Sequence, residues 1–576
     1  MNLDVPVLIA GGGPVGMTLA LELARHQVRS ILVERNPSTT RHPKMDLTNG
    51  RSMELYRRLG ISDKLRAAAI PQDNAFDIMW ATSPSGHLLH NFQYPSAAAK
   101  SAAMHRANDG AGTAESGVRI SQIVLEPVLR EEIDVNPMVE ALFGWRFDSL
   151  CQDGDGVTST IVNEETGETR QLRSLFLAGC DGGGSRVRRK LGIGLDGVDR
   201  VTDLMTAQFV KAGIDVSGLE NIARMMMIHF RSPDRDILNP WGVAWHLQTG
   251  IGSMVAQDDI GTWTVHIPLP PGTNDDSIDA AAMLRQFVGR DFDFEILVAN
   301  PWTPNLVIAE RYIEGRVVLA GDAAHQVIPS GGYGMNTGVG DAIDLGWKLA
   351  AIVNGWAGFA LLDSYEWERK LIAEQNRLGS EGHFAVRMQI ADAYMAAMQS
   401  GHFDETGPEG EAVRAELARQ IAALGNAENE SWGIEHGYRY VGSPVVIGEE
   451  GQPPPFKRLT CVPTTFPGAR LPHVVLGDGS FLIDRLGPEL TLLVIGEADE
   501  GDFASTAQAL DIPLLVVRLA DEPALAVLER KLLLIRPDQH VAWRGNSAVP
   551  ARAVLETATG RLASDVQDAG RRAVAQ

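Results

Sequence analysis

Cysteine is scarce in this chain: three residues in 576, Cys151, Cys180 and Cys461, stand far apart and form no CxxC pair. That spacing offers neither a zinc site nor a redox dithiol, and it predicts buried free thiols. Positive charge is also short. Against 73 acidic residues there are 51 basic ones, a formal charge of −22, which repels phosphate backbones and anionic membrane surfaces and argues against a nucleic-acid partner. No apolar run approaches the ~18 residues needed to span a bilayer. The apolar run Val5–Ala10 lacks a basic flank and is cut short by glycines, so it reads as a strand rather than a secretion signal. The cytoplasm is the expected compartment.

What is present is ordinary globular composition, 44% hydrophobic and 22% charged, over a length that calls for several domains. The opening reads as a βαβ unit: strand Val5–Ala10, a helix over 14–26 with Pro14 at its start, and a strand over 28–34. An amphipathic helix follows Asn49, and the Ala, Gly and Ser of 97–117 predict a mobile loop. A strand at SLFLAG leads into CDGGGSRVRRKLG. Between about 200 and 305, runs such as GVAWHLQTG and TWTVHIPLP predict an inserted antiparallel sheet. Strand RVVLAGD, a Gly-rich loop and a helix over 335–354 come next. The stretch 380–430 is helical and acidic, with no assignable chemistry. The last ~115 residues alternate strands and helices in a separate small α/β domain after a Pro-rich linker.

Two constellations carry the chemistry. Gly11, Gly13 and Gly16 in GGGPVG lie between strand and helix, where backbone amides and a helix N-terminus receive a pyrophosphate. Glu34 closes the second strand, placed for the adenosine ribose hydroxyls, with Arg35 beside it in the candidate cofactor-binding set. Much later, GDAAHQVIPSGGYGMN again follows a strand. Asp322 at the strand end is placed to hold a ribityl hydroxyl, and the thin backbone at Pro329, Gly332 and Gly334 can lie against a flat ring. The helix beginning at Met335 and Asn336 then points its partial positive end at that ring, which stabilises an anionic reduced isoalloxazine.

Together GGGPVG, CDGGGSRVR and GDAAHQVIPSGGYGMNTGVGDAIDLGWKLA resemble the three fingerprints of the group A flavoprotein aromatic monooxygenases, and PGARLPHVVL and LLIRPDQHVAWR resemble the thioredoxin-like tail of their phenol hydroxylase and hydroxybiphenyl monooxygenase branch. The resemblance implies an α/β fold: an FAD-binding Rossmann-like domain (1–80, 117–195 and 306–400), an inserted mixed β-sheet substrate domain (81–116 and 196–305), a helical linker segment (401–455), and a thioredoxin-like domain without CxxC (456–576). It implies FAD as cofactor, NADPH or NADH as co-substrate, O₂, a small phenolic substrate hydroxylated ortho to its hydroxyl through a flavin C4a-hydroperoxide, and a homodimer as one expected assembly. No second GxGxxG domain serves the nicotinamide nucleotide, so transient binding at the flavin face is implied. By the same resemblance Asp181 falls in the DG motif serving FAD and the nicotinamide nucleotide, with Arg188 closing it. Gln122 matches a position near the flavin diphosphate or ribityl chain, and Lys44 stands where many relatives carry Arg.

The resemblance also places Asp46 of HPKMDLTNGR where some phenol hydroxylases carry an acid facing the substrate hydroxyl. A phenolate is attacked more readily than a phenol, so a group drawing off that proton lowers the barrier. Free carboxylate and phenol differ by about six pKa units, roughly 8 kcal/mol, so Asp46 is expected to be shielded, with burial raising its pKa. The competing reading makes it a turn acid or helix cap near Thr48 and Asn49. His325 reads as a hydrogen-bonding rather than an acid–base residue, Trp241, Trp245 and Trp263 as core with an aromatic pocket lining as the alternative, and Met225, Met226 and Met227 as either pocket wall or packing. The rival reactions are epoxidation or Baeyer–Villiger-type insertion on a larger aromatic product, and a non-catalytic flavin scaffold. Halogenation is disfavoured because WTVHIP carries Val265 where WxWxIP has its second Trp.

Overall fold

The computed structural model describes residues 3–211, 213, 215–218, 222–547 and 549–562. The run VPVLIA is almost wholly buried, as in parallel sheets covered by helices on both sides. Five parallel strands stand in the order Val139–Phe143, Ser30–Glu34, Val5–Ala10, Thr169–Gly179 and Val317–Leu319. Their carboxyl ends share one edge, so the loops after Ala10, Glu34, Gly179 and Leu319 converge there, as the switch-point rule for open α/β sheets requires. Helices Pro14–Arg25 and Tyr333–Val353 fill the core beside this sheet.

A second, seven-stranded sheet runs in the order Glu295–Trp302, Met225–Arg231, Thr262–Pro268, Gly252–Ala256, His246–Thr249, Ile78–Ala81 and Leu88–Phe92. All its pairings are antiparallel except that of His246–Thr249 with Ile78–Ala81. Met226, Ile228, Phe230, Leu247, Met254, Val265 and Ile267 form one apolar face, packed on Leu284, Phe287 and Val288 of helix Ala280–Val288. The other face carries His246, which reaches Asp46.

The C-terminal part holds a four-stranded sheet ordered Leu514–Leu519, Leu490–Ile495, Leu532–Ile535, Val541–Gly545. Helices Phe503–Ala509 and Ala551–Ala558 cover one face, and the other packs on Leu471, Val474 and Leu482. This part is keyed to the rest by a buried charge cluster. The Arg536 guanidinium, 0% exposed, donates to both oxygens of Glu368 (2.5 and 2.8 Å), to Asp344 (2.9 Å) and to Asp538 (2.7 Å), while Lys348 Nζ donates to Asp344 (2.8 Å) and Glu368 (2.5 Å). Arg470 grips Glu54 through two hydrogen bonds, 2.7 and 2.9 Å.

Several expectations need correction. The supposed mobile loop at 97–117 contains the helix Ala97–Ala107, because AAAKSAAM is rich in the strongest helix former and Ser96 Oγ caps it at Ala99 N. The second strand begins at Ser30, since Val28 N still donates to Leu23 O at the end of the first helix. The helix of the Gly-rich loop starts at Tyr333. Of the three thiols only Cys180 is buried, and Cys151 is exposed on its strand. No helix among the described residues is long and apolar enough to cross a membrane.

Candidate active site

The converging loops line a cleft with a cavity of about 570 Å³, in the range of small-molecule and cofactor sites. Gly11, Gly13, Pro14, Glu34, Arg35, Lys44, Asp46, Gln122, Asp181, Asp322, Pro329, Gly332, Gly334 and Met335 all border it. Gly16 and Asn336 do not. Both act one step back.

At the first strand end the turn can be made only by glycine. Gly11 has φ +113°, and a Cβ there would lie 2.2 Å from the Cys180 carbonyl oxygen; at Gly16 it would lie 2.0 Å from the Gly11 carbonyl oxygen. Gly13 caps the helix Pro14–Arg25 with no side-chain bond, so the helix N-terminus is left to face the cleft. Glu34 Oε2 accepts from Gly12 N at 2.9 Å and its Oε1 from Asn36 N at 2.8 Å, which fixes the carboxylate at the rim.

Asp181 has a structural duty: its carboxylate accepts from Ser185 Oγ (2.5 Å), Arg186 N (2.6 Å) and Val187 N (3.1 Å), holding the start of helix Arg186–Lys190. Arg188 is turned inward and donates to the carbonyls of Gly183 and Ala323, tying the DG loop to the strand end at Asp322. Gln122 opens helix Gln122–Asp134 and donates to Glu126 at 2.7 Å.

Asp322 stands uncovered in the cleft and accepts no hydrogen bond from the described residues, yet enough protein surrounds it for desolvation to push its carboxyl above the usual range, against the pull of His325 and Lys44. Such a carboxyl is suited to a hydroxyl partner. His325 itself is buried, with Nε2 2.6 Å from Asp341 Oδ2, and Asp341 also accepts from Gly321 N and Arg369. It anchors the loop.

Gly331 and Gly332 both take left-handed backbone, φ +88° and +65°, which turns the chain into helix Tyr333–Val353 and leaves its first amides at the cleft. Asn336 then ties this loop to another. Its Oδ1 accepts from Asn49 N (3.0 Å), and its Nδ2 donates to Leu47 O (3.1 Å) and Gly332 O (2.8 Å).

Asp46 lies between the cleft and the second sheet. Its Oδ2 accepts from Trp245 Nε1 and lies 3.2 Å from His246 Nε2, and 25% of its side-chain surface stays open. Burial pushes its pKa up, but the hydrogen bond and charge of His246, the bond from Trp245 and the charge of Arg119 outweigh it, and the net direction is down. The expected rise is thus overturned, because the shielding groups are donors. The cap reading also fails: Asn49, not Asp46, caps helix Gly50–Arg58 by accepting from Ser52 N. Arg119, 3% exposed, sits beside Asp46, and its Nε and Nη2 find no partner among the described residues. Trp245 is buried with Ile78 and Val255 as core, but its bond to Asp46, and His246, which was not singled out at all, are what sequence reasoning missed. Trp263 is core as expected, Met226 packs inward and Met227 lies on the face opposite.

A glycine cradle at one strand end, a carboxylate at the next, a second Gly-rich loop feeding a helix N-terminus and a free carboxyl at Asp322 suit a flavin dinucleotide. The comparisons agree: residues 4–378 match the FAD binding domain and 464–564 the C-terminal domain of aromatic-ring hydroxylases. This chain belongs to the FAD-dependent aromatic-ring monooxygenases of group A.

Among particular relatives, the FAD-dependent monooxygenase apdD of Emericella nidulans is 35% identical over 94% of this chain and 87% of its own. The phenol 2-monooxygenase of a Pseudomonas species (strain EST1001) is 30% identical over 97% of this chain and 93% of its own. The rebeccamycin biosynthetic enzyme RebC, solved with reduced flavin, superposes with a TM-score of 0.82 at 31% identity, covering 97% of this chain and 99% of that one.

Proposed function

We propose that this monooxygenase hydroxylates a phenolic ring ortho to its hydroxyl, drawing electrons from NADPH or NADH, with Asp46 receiving the phenolic O–H. Bound FAD, reduced by the nicotinamide nucleotide, would activate O₂ so that one oxygen atom enters the ring and the other leaves as water. Gly11, Gly13, Pro14 and Gly16 with Glu34 and Arg35 would hold the adenosine and pyrophosphate, Gln122, Lys44, Asp181 and Asp322 the middle of the cofactor, and Pro329 to Asn336 the ring. Residues 1–80, 117–195 and 306–400 would make up the flavin-holding part, with 81–116 and 196–305 over the substrate.

The observation that carries the reading is a carboxylate kept ionised at the junction of cofactor cleft and second sheet. Held below its usual pKa, Asp46 is too weak a base to take the phenolic proton outright, since even an ordinary Asp lies about six units below phenol. Its work is to accept the O–H as a hydrogen bond that strengthens as electrophilic attack draws electrons from the ring and makes that O–H more acidic. The charge of Arg119 offsets that of the Asp46 carboxylate, and Trp245 and His246 fix the carboxylate in place.

The test is a screen of phenols against FAD-loaded protein, measuring stimulated NAD(P)H and O₂ consumption together with product mass. Asp46→Asn should lower product formation about tenfold to a hundredfold, the worth of a hydrogen bond to a charged group, while leaving FAD affinity within twofold. Equal product from the variant removes the assigned role. Nucleotide oxidation that no phenol stimulates removes the reaction.

A further inference from the structure

The helical stretch 380–430, to which the sequence assigned no chemistry, holds the second Gly-rich loop. Ser380 Oγ donates to Ser330 O at 3.2 Å. His383, one turn further along helix Ala360–Gln399, has Nε2 2.8 Å from the Tyr333 hydroxyl, and Ser431, just ahead of helix Trp432–His436, has Oγ 2.6 Å from the same hydroxyl. Tyr333 is the first residue of the helix that leaves the loop, and its ring folds back over the loop. A Cβ on Gly331 would lie 2.4 Å from Tyr333 Cζ, and one on Gly379 would lie 3.4 Å from its Cε2. The ring is thus seated between a glycine of the loop and a glycine of the long helix. Tyr333, His383 and Ser431 are all buried, and none of them borders the cleft.

The hydrogens in this cluster have one consistent order. Ser431 Oγ donates to Ala427 O at 2.9 Å, so the hydrogen in its short contact with Tyr333 comes from the phenol, which burial keeps protonated. Tyr333 then has none left for His383, and the 2.8 Å contact requires His383 to donate from Nε2. Burial lowers the His383 pKa against the pull of Glu428, so the ring is neutral at pH 7.5 and its one hydrogen sits on Nε2. The chain runs from His383 to Tyr333 to Ser431 to Ala427. It ties the loop to helix Ala360–Gln399, as Asn336 ties it to Leu47 and Asn49.

We infer that Tyr333, His383 and Ser431 are positioning residues for the flavin, holding the first amides of helix Tyr333–Val353 where their partial positive charge favours the reduced, anionic ring over the oxidised one. Each acts through the loop. The inference rests on the proposed seating of the ring at Pro329 to Asn336.

The experiment measures the midpoint potential of FAD-loaded protein by dye equilibration, without substrate or nucleotide. Tyr333→Phe, which removes one hydroxyl, and His383→Leu should each lower the reduced-to-oxidised ratio about tenfold, a fall of about 30 mV for two electrons, while affinity for oxidised FAD stays within about threefold. His383→Gln, whose amide can donate from much the same place as Nε2, should restore the parent potential. Tyr394→Phe is the control: it removes another buried hydroxyl from the same helix, one that donates to Ala81 O at 2.9 Å, and should leave the potential unchanged. A potential unmoved by Tyr333→Phe, lowered as much by Tyr394→Phe, or left low by His383→Gln overturns the inference. Asn336→Ala, which frees the same loop at its other tie, tells this failure from that of the seating. If Asn336→Ala lowers the potential and Tyr333→Phe does not, the ring sits at the loop and the positioning role falls. If neither does, the seating is rejected and the inference with it.

Discussion

Replacing Arg536 by Met tests how the C-terminal part is held. The cluster contains three carboxyl groups, Asp344, Glu368 and Asp538, and two basic groups, Lys348 and Arg536, all buried. It balances because Asp344 keeps a proton: desolvation pushes its pKa up to about 8, against the pull of Lys348. Glu368 is held down at about 2, where Arg536 and Lys348 overcome its burial. Without the guanidinium a second carboxyl must be protonated or left as an uncompensated charge. Keeping an ordinary glutamic acid of pKa 4.5 protonated at pH 7 costs about 3.4 kcal/mol at 1.36 kcal/mol per unit, which agrees with the ~3–5 kcal/mol typical of a broken buried ion pair.

The sign follows from linkage. A carboxyl whose folded pKa is raised binds more protons in the folded state, so its effect on stability worsens as pH rises from its unfolded value toward the folded one. Arg536→Met would add a second such group. Its deficit against the parent should therefore be several kcal/mol at pH 7.5 and shrink steadily toward pH 5, read by paired denaturant titrations followed through tail and flavin signals. A deficit under about 1 kcal/mol at pH 7, or one that does not shrink with acid, refutes the reasoning.

Other outcomes follow from the same geometry. Gly11→Ala meets both a positive φ and a 2.2 Å approach to a carbonyl oxygen, so FAD affinity should fall about tenfold or more, seen in the flavin-to-protein absorbance ratio. Asn336→Ala strands the Asn49 amide; it should destabilise by about 1–3 kcal/mol and lower the ratio of hydroxylated product to nucleotide consumed. Glu22, buried but held at about 2 by Arg58 and His26, contributes stability above pH 4.5 that is lost as pH falls toward 2. Glu22→Gln should therefore cost about 3 kcal/mol at neutrality, with the gap to the parent closing as the solution is acidified.

Much of this was legible from local pattern. The two Gly-rich loops, the strand before each and the acid at Glu34 need only short windows, and all border the cleft. The helix Ala97–Ala107 was misread because turn-forming Gly and Ser downstream outweighed a run of alanines. The partners of Asp46 were hidden for a different reason: Trp245 and His246 lie about two hundred residues away, and only tertiary pairing brings them there. A signal did exist. In WHLQT and TVHIP, polar residues alternate with apolar ones, which marks His246, Gln248 and His266 as one face of a sheet.

The bond from Asn336 to the Leu47–Asn49 strap makes a ruler of that segment. The strap carries Asp46 at one end and is fastened through Asn336 to the Gly-rich loop at the other, so acid and loop shift as one body. Libraries meant to change which molecules are accepted would therefore do best to vary residues outside this strap and leave residues 44–49 alone. The spacing between Asp46 and the Gly-rich loop would then survive each round of selection.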